Sequence, residues 1–189
     1  MSDQNIDIKE NRLKSFFITN QKKIFLFILI TITIFLGFFA YNYYKDVQNT
    51  KVSDKFNSVL VKISKNEKIQ IQDQLIEIIK KKNKFYSPMA LNLIIEKNIE
   101  IKDEEIINLF NIVLTISDLD KSDKDLFKIK KALFLSKENQ NEEKILKLLK
   151  PIINSESVWR VKALTILEKY YLTNNEKKKA KELSDLLKK

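Results

Sequence analysis

Apolar residues follow two patterns along this chain. From Ile24 to Tyr44, IFLFILITITIFLGFFAYNYY, 21 consecutive positions carry no charge, and the run is apolar around the whole circumference of a helix. As a helix it is roughly 31 Å long, about the thickness of a bilayer's hydrocarbon core, and it predicts a transmembrane helix. A buried helix of a soluble core would keep a polar stripe. A cleaved secretory segment is shorter and closes on small residues, whereas Phe38, Phe39 and Ala40 stand in that place. The expectation is an uncleaved signal-anchor with Tyr41, Tyr43 and Tyr44 at the exit interface, where amphipathic rings favour the headgroups. No GxxxG dimer face is visible around Gly37.

Beyond residue 45 the apolar positions recur at helical spacing. Val52, Phe56, Val59, Leu60 and Ile63 form one stripe, and Ile71, Leu75, Ile78 and Ile79 a second. Further stripes are Ile106, Phe110, Val113 and Leu114, then Leu126, Ile129 and Leu133, then Ile145, Leu148, Leu149 and Ile152. Each needs a neighbouring helix to cover it. Candidate N-caps at Ser53, Ser87, Ser122 and Ser155 are 34, 35 and 33 residues apart, with Pro88 after Ser87 and Asp125 three residues after Ser122. Second helices begin near Asp103, Asn141 and Asn175. Two helices per repeat at this period is the arithmetic of a tetratricopeptide-like solenoid. The predicted class is all-α: one N-terminal transmembrane helix followed by helical hairpins, with the transmembrane helix free to run on through residue 53. The expected parts are a cytoplasmic tail (1–23), the signal-anchor (24–44) and a helical domain outside the cytoplasm (45–189).

Composition then closes most chemistry. The chain has no His and no Cys, which removes imidazole bases, thiolate nucleophiles, His-ligated zinc, disulfides and iron-sulfur clusters. One Gly, inside the apolar run, leaves no P-loop or dinucleotide fingerprint. The expectation is a non-enzyme without cofactor or metal. The net charge of +10 raises nucleic acid or anionic lipid as partners. Arg12 and Arg160 are the only guanidinium groups, so bidentate readout of phosphate or guanine is nearly absent, and no specific nucleic-acid binding is expected. The fifteen residues before the span hold Lys9, Arg12, Lys14, Lys22 and Lys23; the fifteen after it hold Lys45, Lys51 and Lys55. Five against three places the N-terminus in the cytoplasm. In Arg12 to Ile18, Leu13, Phe16 and Phe17 lie near one helical face, which suits a short interfacial helix or a plain linker.

The last hairpin resembles a tetratricopeptide repeat. Leu164, Leu167 and Tyr171 stand at its first-helix packing positions and Ala180 at its small second-helix position; Glu168 replaces a small residue and Asn175 the turn glycine. The whole layout resembles the YfgM-like family of bacterial inner-membrane proteins, through the lead-in Lys14 to Lys22, through Tyr86 with Ala90 and Leu91, and through Val158 to Leu187. That resemblance implies an ancillary subunit of the Sec translocon working with periplasmic chaperones on emerging proteins. Its expected place is the bacterial inner membrane, held in the bilayer by Ile24 to Tyr44, with the C-terminal domain in the periplasm. In ordinary repeat geometry Lys162, Thr165, Lys169 and Leu172 face the groove, offering amines beside an apolar patch to acidic or unfolded segments. An envelope scaffold for division or wall synthesis, or a basic lipid-surface domain, are the alternative functions.

The remaining candidates have simpler explanations. Glu104 with Glu105, and Glu142 with Glu143, fall in first helical turns, where carboxylates complement the dipole. Lys80, Lys81, Lys82 and Lys84 before Phe85 and Tyr86 suit single-stranded nucleic acid, but a basic helix end accounts for them as well. Lys177, Lys178, Lys179 and Lys181 open a helix, where cations are disfavoured, which gives that run more claim to a partner. Trp159 is expected to seal the final hairpin onto its neighbour.

Overall fold

The apolar stripes become eight α-helices in the computed structural model of the protein, which describes residues 3–65, 71–137 and 141–188, with side chains from residue 18 onward. They are α1 (Asp3–Ser64), α2 (Ile71–Lys80), α3 (Tyr86–Glu96), α4 (Asp103–Leu114), α5 (Lys121–Leu135), α6 (Glu142–Ile153), α7 (Arg160–Thr173) and α8 (Lys177–Leu187). No strand occurs among the described residues. The chain divides into two units, Met1–Lys51 and Val52–Lys189.

The first unit is helical. From Phe25 to Tyr44 its large apolar side chains are exposed on every side, and the helix is long and apolar enough to cross a membrane. Thr31 and Thr33 turn their hydroxyls back onto the carbonyls of Phe27 and Leu29, both at 2.9 Å, so neither presents a free donor to an apolar surrounding. The face proposed from Leu13, Phe16 and Phe17, and most of the basic-aromatic lead-in, lie outside the described side chains.

In the second unit, sequential helices pack on one another from α2 through α8. The last turns of α1 join them, because Val52, Phe56 and Val59 are buried with α2 and α3. Two apolar cores result. One gathers residues of α1 to α4 around Leu75, Ile79, Leu91 and Phe110. The other gathers α5 to α8 around Ile129, Ile145, Leu149 and Leu164. Phe127 of α5 reaches into the first core, Ile107 of α4 reaches into the second, and the Phe110 and Phe134 rings lie 6.2 Å apart.

The repeat period is real, but its serines do not cap helices. Ser53 lies inside α1, which does run through it, and accepts a hydrogen bond from the Tyr86 hydroxyl at 2.7 Å. Ser87 is the second residue of α3 and fully buried, donating to the Ile78 carbonyl at 2.9 Å. Ser122 lies inside α5 and accepts from the Trp159 indole at 3.0 Å, while Ser155 follows α6 and donates to the Ile152 carbonyl at 3.0 Å. Asp125 forms no capping box: it is buried, taking Lys128 at 3.0 Å and Ser157 at 2.9 Å. Pro88 is the third residue of α3, and Asn83 does the capping, its Oδ1 accepting the backbone N–H groups of Phe85 and Tyr86 at 2.9 and 3.0 Å. Two of the four serines, Ser53 and Ser122, accept from an aromatic side chain of the next repeat, whereas Ser87 and Ser155 donate to backbone carbonyls.

With no glycine to end them, three helices stop on residues that adopt left-handed backbone: Lys82 after α2, Asn98 after α3 and Asn175 after α7, at φ 52°, 47° and 62°. The Ile99 N–H returns to the Ile94 carbonyl at 3.1 Å and the Glu176 N–H to the Tyr171 carbonyl at 2.8 Å, satisfying the last carbonyls. Asn tolerates this conformation; Lys does so at about 1 kcal/mol of strain.

Candidate functional site

Helix α7 is buried on one side and open on the other. Ala163, Leu164, Leu167, Tyr170 and Tyr171 face the second core between α6 and α8. The opposite arc carries Lys162, Thr165, Lys169 and Leu172, spaced three, four and three residues apart on one helical face. Leu172 remains 52% exposed. Thr165 is half-buried, and its hydroxyl donates to the Val161 carbonyl at 2.9 Å. Val158 and Val161, missed at the sequence level, add exposed apolar surface to the same arc at 81% and 63%. Their signal was present: they lie seven and four residues before Thr165. The face is therefore more apolar than two lysines suggest.

Two earlier helices present comparable surface. The Lys130 amine of α5 donates to Asn92 Oδ1 of α3 at 2.6 Å and lies 5.5 Å from the Phe127 ring centroid. One turn from this bond on each helix stand Met89 and Leu133, both exposed. Apolar positions thus remain uncovered on α3, α5 and α7, each beside a polar or cationic group.

Behind the α7 face a polar cluster fixes the final hairpin. Glu142 Oε1, in the first turn of α6, accepts the Tyr171 hydroxyl at 2.9 Å and the Lys179 amine at 2.7 Å. Lys179 also pairs with Glu176 at 2.6 Å and sits 4.9 Å from the Tyr171 ring centroid. The hydrogen bond from Lys179, with that from Tyr171, holds the Glu142 carboxyl below its ordinary pKa. Burial, reinforced by the bond to Glu142, pushes the Tyr171 phenol up to about 12. The bonds to Glu142 and Glu176 raise the Lys179 amine. Of the Lys177 to Lys181 run, Lys179 is thus tied to Glu142 and Glu176, although like Lys177, Lys178 and Lys181 it is exposed.

The acidic pairs stand in first turns: Glu104 and Glu105 with Asp103 in α4, Glu142 and Glu143 in α6. Among the described residues no group of three or more acidic side chains converges as a metal site would require. Trp159 is partly buried against the second core, as its sealing role demands.

Residues 14–106 match the family model described as a tetratricopeptide repeat-like domain. The chain is similar to that family from before the apolar run to the start of α4. Neither curated proteins nor solved structures gave a match. The fold is all-α, one long apolar helix leading into a tetratricopeptide-like array, and such arrays typically bind proteins rather than catalyse reactions.

Proposed function

We propose that this protein is a membrane-tethered interaction module whose helical array engages a protein partner through the open face of α7. The observation that carries this reading is the exposed arc of Val161, Lys162, Lys169 and Leu172 on α7, with half-buried Thr165 among them and exposed Val158 in the turn just before the helix, opposite a side that is packed. Exposed apolar side chains flanked by amines suit a segment that is itself apolar and acidic. The anchor is the run Ile24 to Tyr44, which confines the array to two dimensions and raises its effective concentration at a membrane complex. In this reading residues 1–23 are a cytoplasmic tail, 24–44 the signal-anchor and 45–189 a periplasmic domain in the bacterial inner membrane. The partners are the Sec translocon and periplasmic chaperones, and the work is assistance to emerging proteins. The support for this assignment is the resemblance in layout to YfgM-like proteins.

The test is site-specific photo-crosslinking in intact cells, with the reactive group at Leu172 or, as control, at exposed Asn57 in α1. Translocon or chaperone adducts at position 172 and not at 57 are expected. Adducts confined to division or wall-synthesis proteins would move the assignment to an envelope scaffold.

A further inference from the structure

The α2–α3 corner concentrates a different chemistry from the α7 face. Lys80 ends α2, Lys81 and Lys82 form the turn after it, all three with exposed side chains, and Lys84 follows, 3.7 Å from Asp120. Directly after them Phe85 is 67% exposed, and Met89, four residues on and so on the same face, is 47% exposed. Three exposed lysines followed in the chain by an exposed aromatic ring, with the Lys84 amine 5.8 Å from its centroid, and an exposed thioether make up a composition that suits a lipid headgroup region. There the apolar groups enter the interface and the amines meet phosphate. Lys82 adds a backbone observation. It holds φ 52°, where glycine is conformationally cheaper, and it keeps a third amine at the corner.

Within the second unit the corner packs on the last turns of α1. The Tyr86 hydroxyl bonds Ser53 at 2.7 Å, and the Tyr86 ring lies 5.7 Å from that of Phe56. Nine residues separate Tyr44 from Ser53 in sequence, at most roughly 32 Å of chain however it runs. A site too weak to recruit a free protein is occupied when its ligand is held this near.

We infer that the corner Lys80–Met89 is a docking site for anionic phospholipid headgroups of the bilayer in which the chain is anchored. It rests on the anchoring reading above and is separate from the α7 face. Charge complementarity favours this occupant. The amines are point charges without a guanidinium among them, and an exposed apolar pair follows them in the chain.

The test uses the full chain in nanodiscs of phosphatidylcholine alone or mixed with phosphatidylglycerol. Because the chain has no Cys, Met89→Cys carries a single fluorophore, and Asp185→Cys, exposed on α8, is the control. Quenching by neutral acrylamide should fall severalfold at position 89 on adding the anionic lipid and stay unchanged at 185. Lys82→Gly removes an amine while relieving the backbone. It should weaken the protection about fivefold without loss of thermal stability, and Lys80→Gln with Lys81→Gln should weaken it further, about fivefold per lysine. Equal quenching in the two lipids overturns the inference. So does protection in neutral discs by a single-stranded oligonucleotide or polyglutamate with none in anionic discs. A chain that elutes apart from the discs overturns the anchoring itself, whereas one that co-elutes with its label fully quenched overturns the docking alone.

Discussion

At the residue scale, the cluster around Glu142 gives the final hairpin a pH window. The Glu142 pKa is depressed by Lys179 and Tyr171, so its contribution is present above the unfolded glutamate value, about 4.3, and is lost as pH falls through the lower folded value. Lys179 and Tyr171 have raised values, so theirs is present below the unfolded values of about 10 and is lost as pH rises through the folded ones. The latch is expected to hold between about pH 5 and 10. Its size is small, because Glu142 and Lys179 are over a third exposed and solvent screens them: Glu142→Gln should cost about 1 kcal/mol or less. Tyr171 should ionise near 12 in an ultraviolet titration and move down in Glu142→Gln. A Tyr171 transition near 10 in the unaltered protein would remove the latch. A second pair of substitutions separates capping from burial at α3. Asn83→Ala loses the acceptor for two N–H groups and should cost about 1 kcal/mol. Ser87→Ala also costs about 1 kcal/mol, through the buried bond to Ile78. In amide exchange the first opens the first turn of α3, whereas the second loosens the contact with α2.

At the element scale, the junction of α4 and α5 decides whether two cores behave as one. Phe110 is fully buried and bridges toward α5 through Phe134. Phe110→Ala should destabilise by about 3–5 kcal/mol and broaden the denaturation transition, since α5 to α8 keep their own core. A sharp single transition in that variant would show the junction to be dispensable to cooperativity. The helices themselves were legible from apolar periodicity: Val59, Ile79, Phe110, Val113, Ile145 and Leu149 are buried where the stripes placed them. But Leu60 and Leu133 are exposed, and α5 buries Phe127, Ile129, Ala132 and Leu135 rather than the Leu126, Ile129 and Leu133 stripe. The caps were not legible. A serine at a regular interval looks the same whether its hydroxyl caps a helix or accepts from an aromatic of the next repeat. Only the distant partner, Tyr86 for Ser53 and Trp159 for Ser122, tells them apart. At the α7 face, spacing placed Lys162, Thr165, Lys169 and Leu172 on one arc. It missed Val158 and Val161, because apolar residues are read as core by default.

At the scale of the whole molecule, the proposed function turns on which side of the membrane the array would occupy. The orienting asymmetry is five cationic residues before the span against three after it, a difference of two. Acidic residues contribute little to this choice, so Asp46 does not enlarge the margin. Of the net +10, the first 23 residues hold only +2, and the array goes wherever the remaining +8 is sent. Outside the cytoplasm that charge meets headgroups and acidic protein surface; inside, it meets nucleic acid and other polyanions as well. The proposed translocon role is therefore bound to one orientation, and the thin margin makes the orientation adjustable. A reporter fused after Lys189 should read non-cytoplasmic in the unaltered chain. Asn49→Lys with Thr50→Lys brings the count to five against five and should yield a mixed population, without touching a residue of either apolar core. A cytoplasmic reporter in the unaltered chain would overturn the orientation and the translocon-facing role together. A wholly non-cytoplasmic reporter in the double variant would show that the length and apolarity of the span, rather than its flanking lysines, orient the chain.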